Sequence, residues 1–243
     1  MKMNVVIDIG NSRQKVGFFQ QAELKAKHTF TALPELLEAV RVSPFSVDTV
    51  LVSSVVPLEE TFLHALRDVC TRLLVLDAQV ALPVRVMYKT PHTLGVDRLA
   101  AVCGAQHIFP NTHCLAIDVG TCINYEFVDA AGHYHGGAIS PGIRMRLQAM
   151  HQLTAKLPLL QPVANPAWLG QDTASCMLSG AVIGALEEIN GFIARYQTQY
   201  SPLRVIITGG DVQLFESQLK PSIFVAPDLV LVGLNRILLH HAE

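Results

Sequence analysis

The stretch "VVIDIGNSRQK", Val5 to Lys15, runs an apolar strand into Asp-x-Gly, then small polar side chains, then a second alternating stretch. "LAIDVGTCINY", Leu115 to Tyr125, repeats that grammar in the second half of the chain. Glycine at a strand end lets the backbone turn tightly and present N–H groups with no Cβ in the way. Asn11, Ser12 and Thr121 add side-chain donors for phosphate oxygens, and Lys15 adds a mobile positive charge. Asp8 and Asp118 repel the same anion, so they make sense with a cation, Mg²⁺ or a monovalent ion, between carboxylate and nucleotide. The repeat predicts two related halves that grip one triphosphate from both sides. Two unrelated hairpins are the plainer alternative, but they leave the shared polar residue after each D-x-G unexplained.

Working outward, "NVVIDIG", "RQKVGFFQ" and "ELKAKHTF" read as three strands with short breaks. Helical spacing follows at "LPELLEAV", then a strand at "DTVLVSSV", a helix from Glu59 to Cys70 and a short strand "RLLVLD". The second half opens alike, with "CLAIDVG", "NYEFVDA" and "HYHGGAIS" as strands. Helices are expected from Met145 to Lys156, Thr173 to Tyr200 and Leu229 to His240, with "RVIITGG" a buried strand entering a glycine turn. Three early strands followed by alternating β and α predict an α/β fold with a mixed sheet in each half. Turn residues in "FPNTH" place the boundary there, giving domains at 1–110 and 111–243.

Of the 243 residues, 50% are hydrophobic and 16% charged, with a net charge near −2, which suits a compact globular protein. No basic run interleaves with aromatics, so nucleic acid is not an expected partner. The most apolar segments, "SGAVIGALEEI" and "LVLVGLNRILL", are broken by Glu187, Glu188, Asn235 and Arg236, so no membrane span and a cytoplasmic location are expected. The five cysteines form no C-x-x-C pair, which argues for reduced thiols. His133 and His135 share one strand face, and with no third ligand evident they read as solvent-facing strand residues.

Asp-x-Gly turns in paired halves resemble the phosphate hairpins of the actin, sugar-kinase and Hsp70 superfamily, whose domains are ribonuclease-H-like. "TGG" at Thr208 to Gly210 looks like that superfamily's adenosine segment. "PHTLGVDRLAA", "GGAISPG" from Gly136 to Gly142, "TAKLP" and "GQDT" narrow the resemblance to the type III pantothenate kinases, over essentially the whole chain. That resemblance implies ATP-dependent phosphorylation of the primary hydroxyl of pantothenate, in coenzyme A synthesis, with K⁺ or NH₄⁺ required. It implies that Asp8, Gly10, Asn11, Ser12 and Lys15, with Gly120 and Thr121, bind ATP, and that Asp118 binds the cation. It makes Tyr88, Gly95, Val96, Asp97 and Arg98 substrate residues, Asp97 the catalytic base, and Thr173 a residue reaching substrate in a homodimer. The apolar stretch after Thr173, with Ser179, Gly180 and Gly184, agrees with a dimer helix.

Each residue also has a plainer reading. Asp97 can be a helix N-terminal carboxylate, Tyr88 a half-buried strand aromatic, and Thr173 a first-turn capping residue. The chain departs from the family where Ser12 replaces threonine, and where Asn124 and Glu126 stand in place of the usual Thr and Asp. The alternative function is a non-catalytic accessory or regulatory relative of the same fold.

Overall fold

The computed structural model describes residues 2–77, 80–220 and 222–242. Strands β1 (Lys2–Ile9), β2 (Gln14–Gln20), β3 (Glu23–Phe30), β4 (Ser46–Ser54) and β5 (Arg72–Val75) form one sheet in the order β3-β2-β1-β4-β5. A two-residue β6 (Arg85–Val86), β7 (His113–Val119), β8 (Cys122–Val128), β9 (His133–Pro141), β10 (Leu203–Thr208) and β11 (Ile223–Val225) form the other, in the order β11-β10-β7-β8-β9-β6. Apart from β6, the second order is the first one repeated. β1 pairs antiparallel with β2 and parallel with β4, just as β7 pairs antiparallel with β8 and parallel with β10. The duplication read from the two Asp-x-Gly strands is therefore a duplication of topology.

Burial explains the strand sequences. β1 and β7 lie inside their sheets, and their apolar runs are almost wholly buried. β3, at an edge, alternates and is mostly solvent-facing. Helix α1 (Leu33–Arg41) buries Leu36 and Val40, and α2 (Glu60–Arg67) buries Phe62 and Leu66. The sequence pattern ran α2 on to Cys70; the helix stops earlier, where Asp68 caps it through His64.

Further helices are α3 (Val96–Ile108), α4 (Ile143–Gln152), α5 (Thr173–Leu178), α6 (Gly184–Gln199) and α7 (Leu229–Ala242). A π-turn at Ser179–Ile183 joins α5 to α6, so the helical stretch runs unbroken from Thr173 to Gln199. By length and composition alone this stretch is long and apolar enough to cross a membrane, a test that the packed core helix of a soluble protein also passes. Met177, Ala181, Val182, Ala185, Leu186, Ile189 and Ile193 of this stretch belong to a packed core with Leu115, Ile117, Tyr125 and Phe127.

The chain forms two compact units. One comprises Met1–Pro110, Gly132–Tyr134 and Asp228–Glu243, the other Asn111–Ala131 and His135–Pro227. The C-terminal helix α7 thus joins the first unit, for a packing reason. It is apolar on most sides, burying Leu229, Val230, Leu231, Leu234, Ile237 and Leu238, and needs cover all round. Its partner is α3, and the helices cross backbone to backbone. A Cβ on Gly233 would stand 1.8 Å from the Ala100 carbonyl oxygen, and one on Gly104 would stand 2.5 Å from that of Leu229. Asn235 donates to the Gln21 carbonyl at 2.7 Å, and Lys27 pairs with Asp228 at 2.8 Å, so α7 is also tied to the β2–β3 hairpin and to β3.

Gly233→Ala is expected to force α7 away from α3 and lower stability by about 1–3 kcal/mol, the usual cost of overpacking. Gly210→Ala, where a methyl meets nothing within 4 Å, is the control and should be neutral. Urea unfolding of the two variants checks both outcomes.

Candidate active site

In the first unit, β1 and β2 pair Asp8 with Lys15 and Ile9 with Gln14, leaving residues 10–13 as the turn. Gly10 N–H donates to the Arg13 carbonyl at 3.1 Å and closes it. Asn11 and Ser12 lie exposed at the tip, while Asp8 is buried. Because directly paired residues point to the same face of a sheet, Lys15 shares the sheet face of Asp8 rather than merely following it along the loop. That juxtaposition comes from register, which the linear motif does not display.

The same unit gathers the other candidate residues at the start of α3. Gly95 is the N-cap and Asp97 lies in the first helical turn, where the helix dipole favours a negative charge. Asp97 Oδ1 accepts the Arg98 N–H at 2.9 Å. A Cβ on Gly95 would come within 2.5 Å of Asp97 Oδ1, so glycine here leaves the carboxylate its place. Arg98 is buried, and its guanidinium carbon sits 5.6 Å from the ring centroid of Tyr88. Tyr88 is half-buried and stacks on Tyr134 at 6.4 Å with the rings 5° from parallel. A cation over an aromatic face is worth about 0.5–2 kcal/mol, so Arg98 and Tyr88 hold each other. Val96 is half-buried beside them in the sequence.

In the second unit, Asp118 pairs with Asn124 and Val119 with Ile123, leaving Gly120 and Thr121 as the turn before Cys122, the first residue of β8. Gly120 N–H donates to the Cys122 carbonyl at 2.9 Å. Glu126, opposite Ala116, lies on the same face as Asn124 and is buried. Two further glycine motifs brace this turn. Gly142, ending "GGAISPG", donates its N–H to the Thr121 carbonyl at 3.1 Å. Thr208 of "TGG" is the ladder partner of Asp118, and Asp211 N–H donates to the Val119 carbonyl at 3.0 Å. Gly209 between them has φ +106°, a conformation that side chains disfavour. Thr173 is exposed as the first residue of α5, behind an Asp172 N-cap that forms a capping box with Ser175.

One carboxylate was read in the sequence only as a break in an apolar segment, and the network it centres was not read there. Glu188 of α6 accepts hydrogen bonds from Tyr125 Oη at 2.8 Å, Ser140 Oγ at 2.5 Å and Arg146 Nη2 at 2.5 Å. Arg146 Nε also donates to the Pro141 carbonyl at 2.8 Å. Burial pushes the Glu188 pKa up, but the bonds from Ser140, Arg146 and Tyr125 outweigh it and hold the carboxyl below its ordinary range. Burial and the Glu188 bond together raise the Tyr125 hydroxyl far above the phenol range, so it remains a donor. This network pins β9 and α4 on either side of Gly142, and so supports the second turn from behind. Nothing in the local sequence marks it, because its members lie on four separate elements.

The chain matches the sequence model of the type III pantothenate kinase family over residues 4–195. Among curated relatives, the type III pantothenate kinase of Bacteroides fragilis is 44% identical over 97% of both chains. That of Cytophaga hutchinsonii is 42% identical over 97% of this chain and 98% of its own. Among solved structures, a Campylobacter jejuni protein assigned to the Baf family of transcriptional activators covers 98% of each chain at 18% identity, TM-score 0.66. An Alp12 filament structure covers 100% of this chain and 99% of its own at 10% identity, TM-score 0.56. At such identities these two share the fold, which is the duplicated actin-like, ribonuclease-H-like one.

Gly95→Ala is expected to leave the fold intact, since the new methyl crowds only a movable carboxylate and meets Arg98 at ordinary contact distance. Displacing that carboxylate should lower the turnover of any reaction using Asp97, by roughly tenfold or more for a shift of about 1 Å. Steady-state kinetics beside circular dichroism separates the two effects.

Proposed function

The chain belongs to the type III pantothenate kinase family, its activity is ATP-dependent phosphorylation of pantothenate for coenzyme A synthesis, and we propose how its residues divide that work. The carrying observation is the first turn of α3, where Gly95 keeps Asp97 in place and Arg98 is locked over Tyr88. Asp97 accepts the proton of the pantothenate primary hydroxyl as the phosphoryl group moves to it. Tyr88 and Val96 give the substrate an apolar wall, and Arg98 offers a planar fork to the pantothenate carboxylate or a neighbouring acid. Thr173 reaches substrate in a homodimer, whose interface is the helix face of Gly180, Gly184 and Gly191. A Cβ on any of these three meets nothing within 4 Å, so the face is open to close approach, and light scattering reads the assembly directly.

The turn from Asp8 to Lys15 and the turn at Gly120 and Thr121 bind the ATP phosphates through backbone N–H groups, hydroxyls and the Lys15 charge. Each strand end offers a carboxylate, with a hydroxyl in the turn that follows (Ser12, Thr121) and an amide in that turn (Asn11) or on the paired strand (Asn124). Such a set fits hard cations, so Asp8 suits Mg²⁺ and Asp118 suits K⁺ or NH₄⁺. Bound there, the cations supply charge neutralisation for the triphosphate. The reaction belongs in the cytoplasm, where ATP is available.

A coupled ADP-release assay tests this reading. ADP is expected only when pantothenate is present, and more slowly when sodium replaces potassium. Asp97→Asn should lower kcat by about 10²-fold, the low end for general-base loss because a loose transition state needs little base. ADP release without pantothenate would make the protein an ATPase, none at all would leave a binding protein, and full activity of the variant would remove Asp97 as base.

A further inference from the structure

His133 and His135, set aside above for want of a third ligand, acquire one in the fold. Asp129 ends the hairpin arm leading into β9, and the ligand atoms of Asp129, His133 and His135 all lie within 4.8 Å of one another. We propose that this hairpin binds a divalent transition ion of the zinc class through Asp129, His133 and His135, at a site separate from the catalytic chemistry.

The arrangement is built for it. The two histidines alternate with the fully buried Tyr134, so the strand directs both imidazoles to one side while its core residue fixes the backbone. The Asp129 carboxylate is held from behind, with Oδ1 accepting the Ala131 N–H at 2.9 Å. Its other oxygen lies 2.8 Å from His135 Nε2, and the His135 ring stacks on Phe127 at 5.8 Å. Carboxylate and imidazole are thus already oriented, as outer partners orient the ligands of a metal site.

Dimensions agree as well. Around a tetrahedral zinc ion with bonds of about 2.0–2.1 Å, ligand atoms stand roughly 3.3–3.4 Å apart. That falls between the 2.8 Å of the existing hydrogen bond and the 4.8 Å bound on the group. Two nitrogens and one oxygen suit Zn²⁺, with Ni²⁺ and Cu²⁺ as competitors, and do not suit Mg²⁺. Arg85, the ladder partner of His133, opposes any cation there, but its exposed side chain is free to turn into solvent. The seven residues of β8 separate Asp129 from the Thr121 turn, roughly 23 Å at a strand's rise, so metal here would clamp the hairpin without touching the phosphate turn.

Isothermal titration of the full chain with Zn²⁺ alone, in a non-coordinating buffer, tests the site. Wild type is expected to take up one equivalent that His133→Ala and His135→Ala each weaken at least tenfold. Co²⁺ should give the visible bands of a four-coordinate ion in wild type and not in the variants. Bound Zn²⁺ should raise the melting temperature of wild type but not of the variants, whose exposed or half-exposed positions leave the fold intact. Equal uptake by wild type and His133→Ala would place the metal elsewhere, at a cysteine for instance, and no uptake would leave only the ion pair; either overturns the proposal.

Discussion

Backbone contact between α3 and α7 is the constraint on which the first unit's chemistry rests. Gly104 and Gly233 let two helices touch where any side chain would hold them apart, and the Ala100 carbonyl lies in the gap so closed. The consequence reaches the first turn of α3, four residues before Ala100, where Val96 begins the helix and Asp97 and Arg98 follow. If Asp97 is the base proposed above, a carboxylate that must meet a hydroxyl within hydrogen-bond reach gains from being mounted on a helix that cannot slide. The device is also economical in chain, since the last helix of the sequence braces a helix from its first half.

Much of this was legible in advance, for reasons that differ by element. The strands around Asp8 and Asp118 were readable because apolar run, acid and glycine all fall within one short segment, and turn chemistry is local. The strand order that the two sheets share, apart from β6, agrees with the repeat of that segment. The destination of α7 was not readable. Its uniform apolarity says that it is covered, but not by what, and nothing near Leu229 points to Gly104. Glu188 was hidden for a related reason. In sequence it looks like a charge interrupting an apolar helix, yet Tyr125, Ser140 and Arg146 converge on it from elsewhere and make it the half-buried centre of a hydrogen-bond network. The pairing of His133 and His135 was visible; Asp129 became their neighbour only when the hairpin closed.

The two Asp-x-Gly turns present one electrostatic problem twice. Under the proposed role a carboxylate at a strand end is the wrong charge for a triphosphate, and each turn would compensate with its own means. The first sets Lys15 against Asp8 across the ladder and leaves Asn11 and Ser12 exposed. The second has no lysine; it sets Asn124 against Asp118, with Thr121 at the tip and the glycines of two other motifs against its backbone. Sheet topology duplicated while side chains diverged, as expected if one turn supplies charge and the other supplies donors and a seat for a monovalent cation.

If both turns serve the same triphosphate, their contributions to ATP binding cannot be independent. A double-mutant cycle of Lys15→Met and Thr121→Val, read as ATP affinity by calorimetry, measures that directly. Residues sharing one bound partner show coupling of about 0.5–3 kcal/mol, and a value in that range is the expected result. Strict additivity, with the double variant losing just the sum of the single losses, would mean that the turns do not hold one nucleotide and would contradict the account.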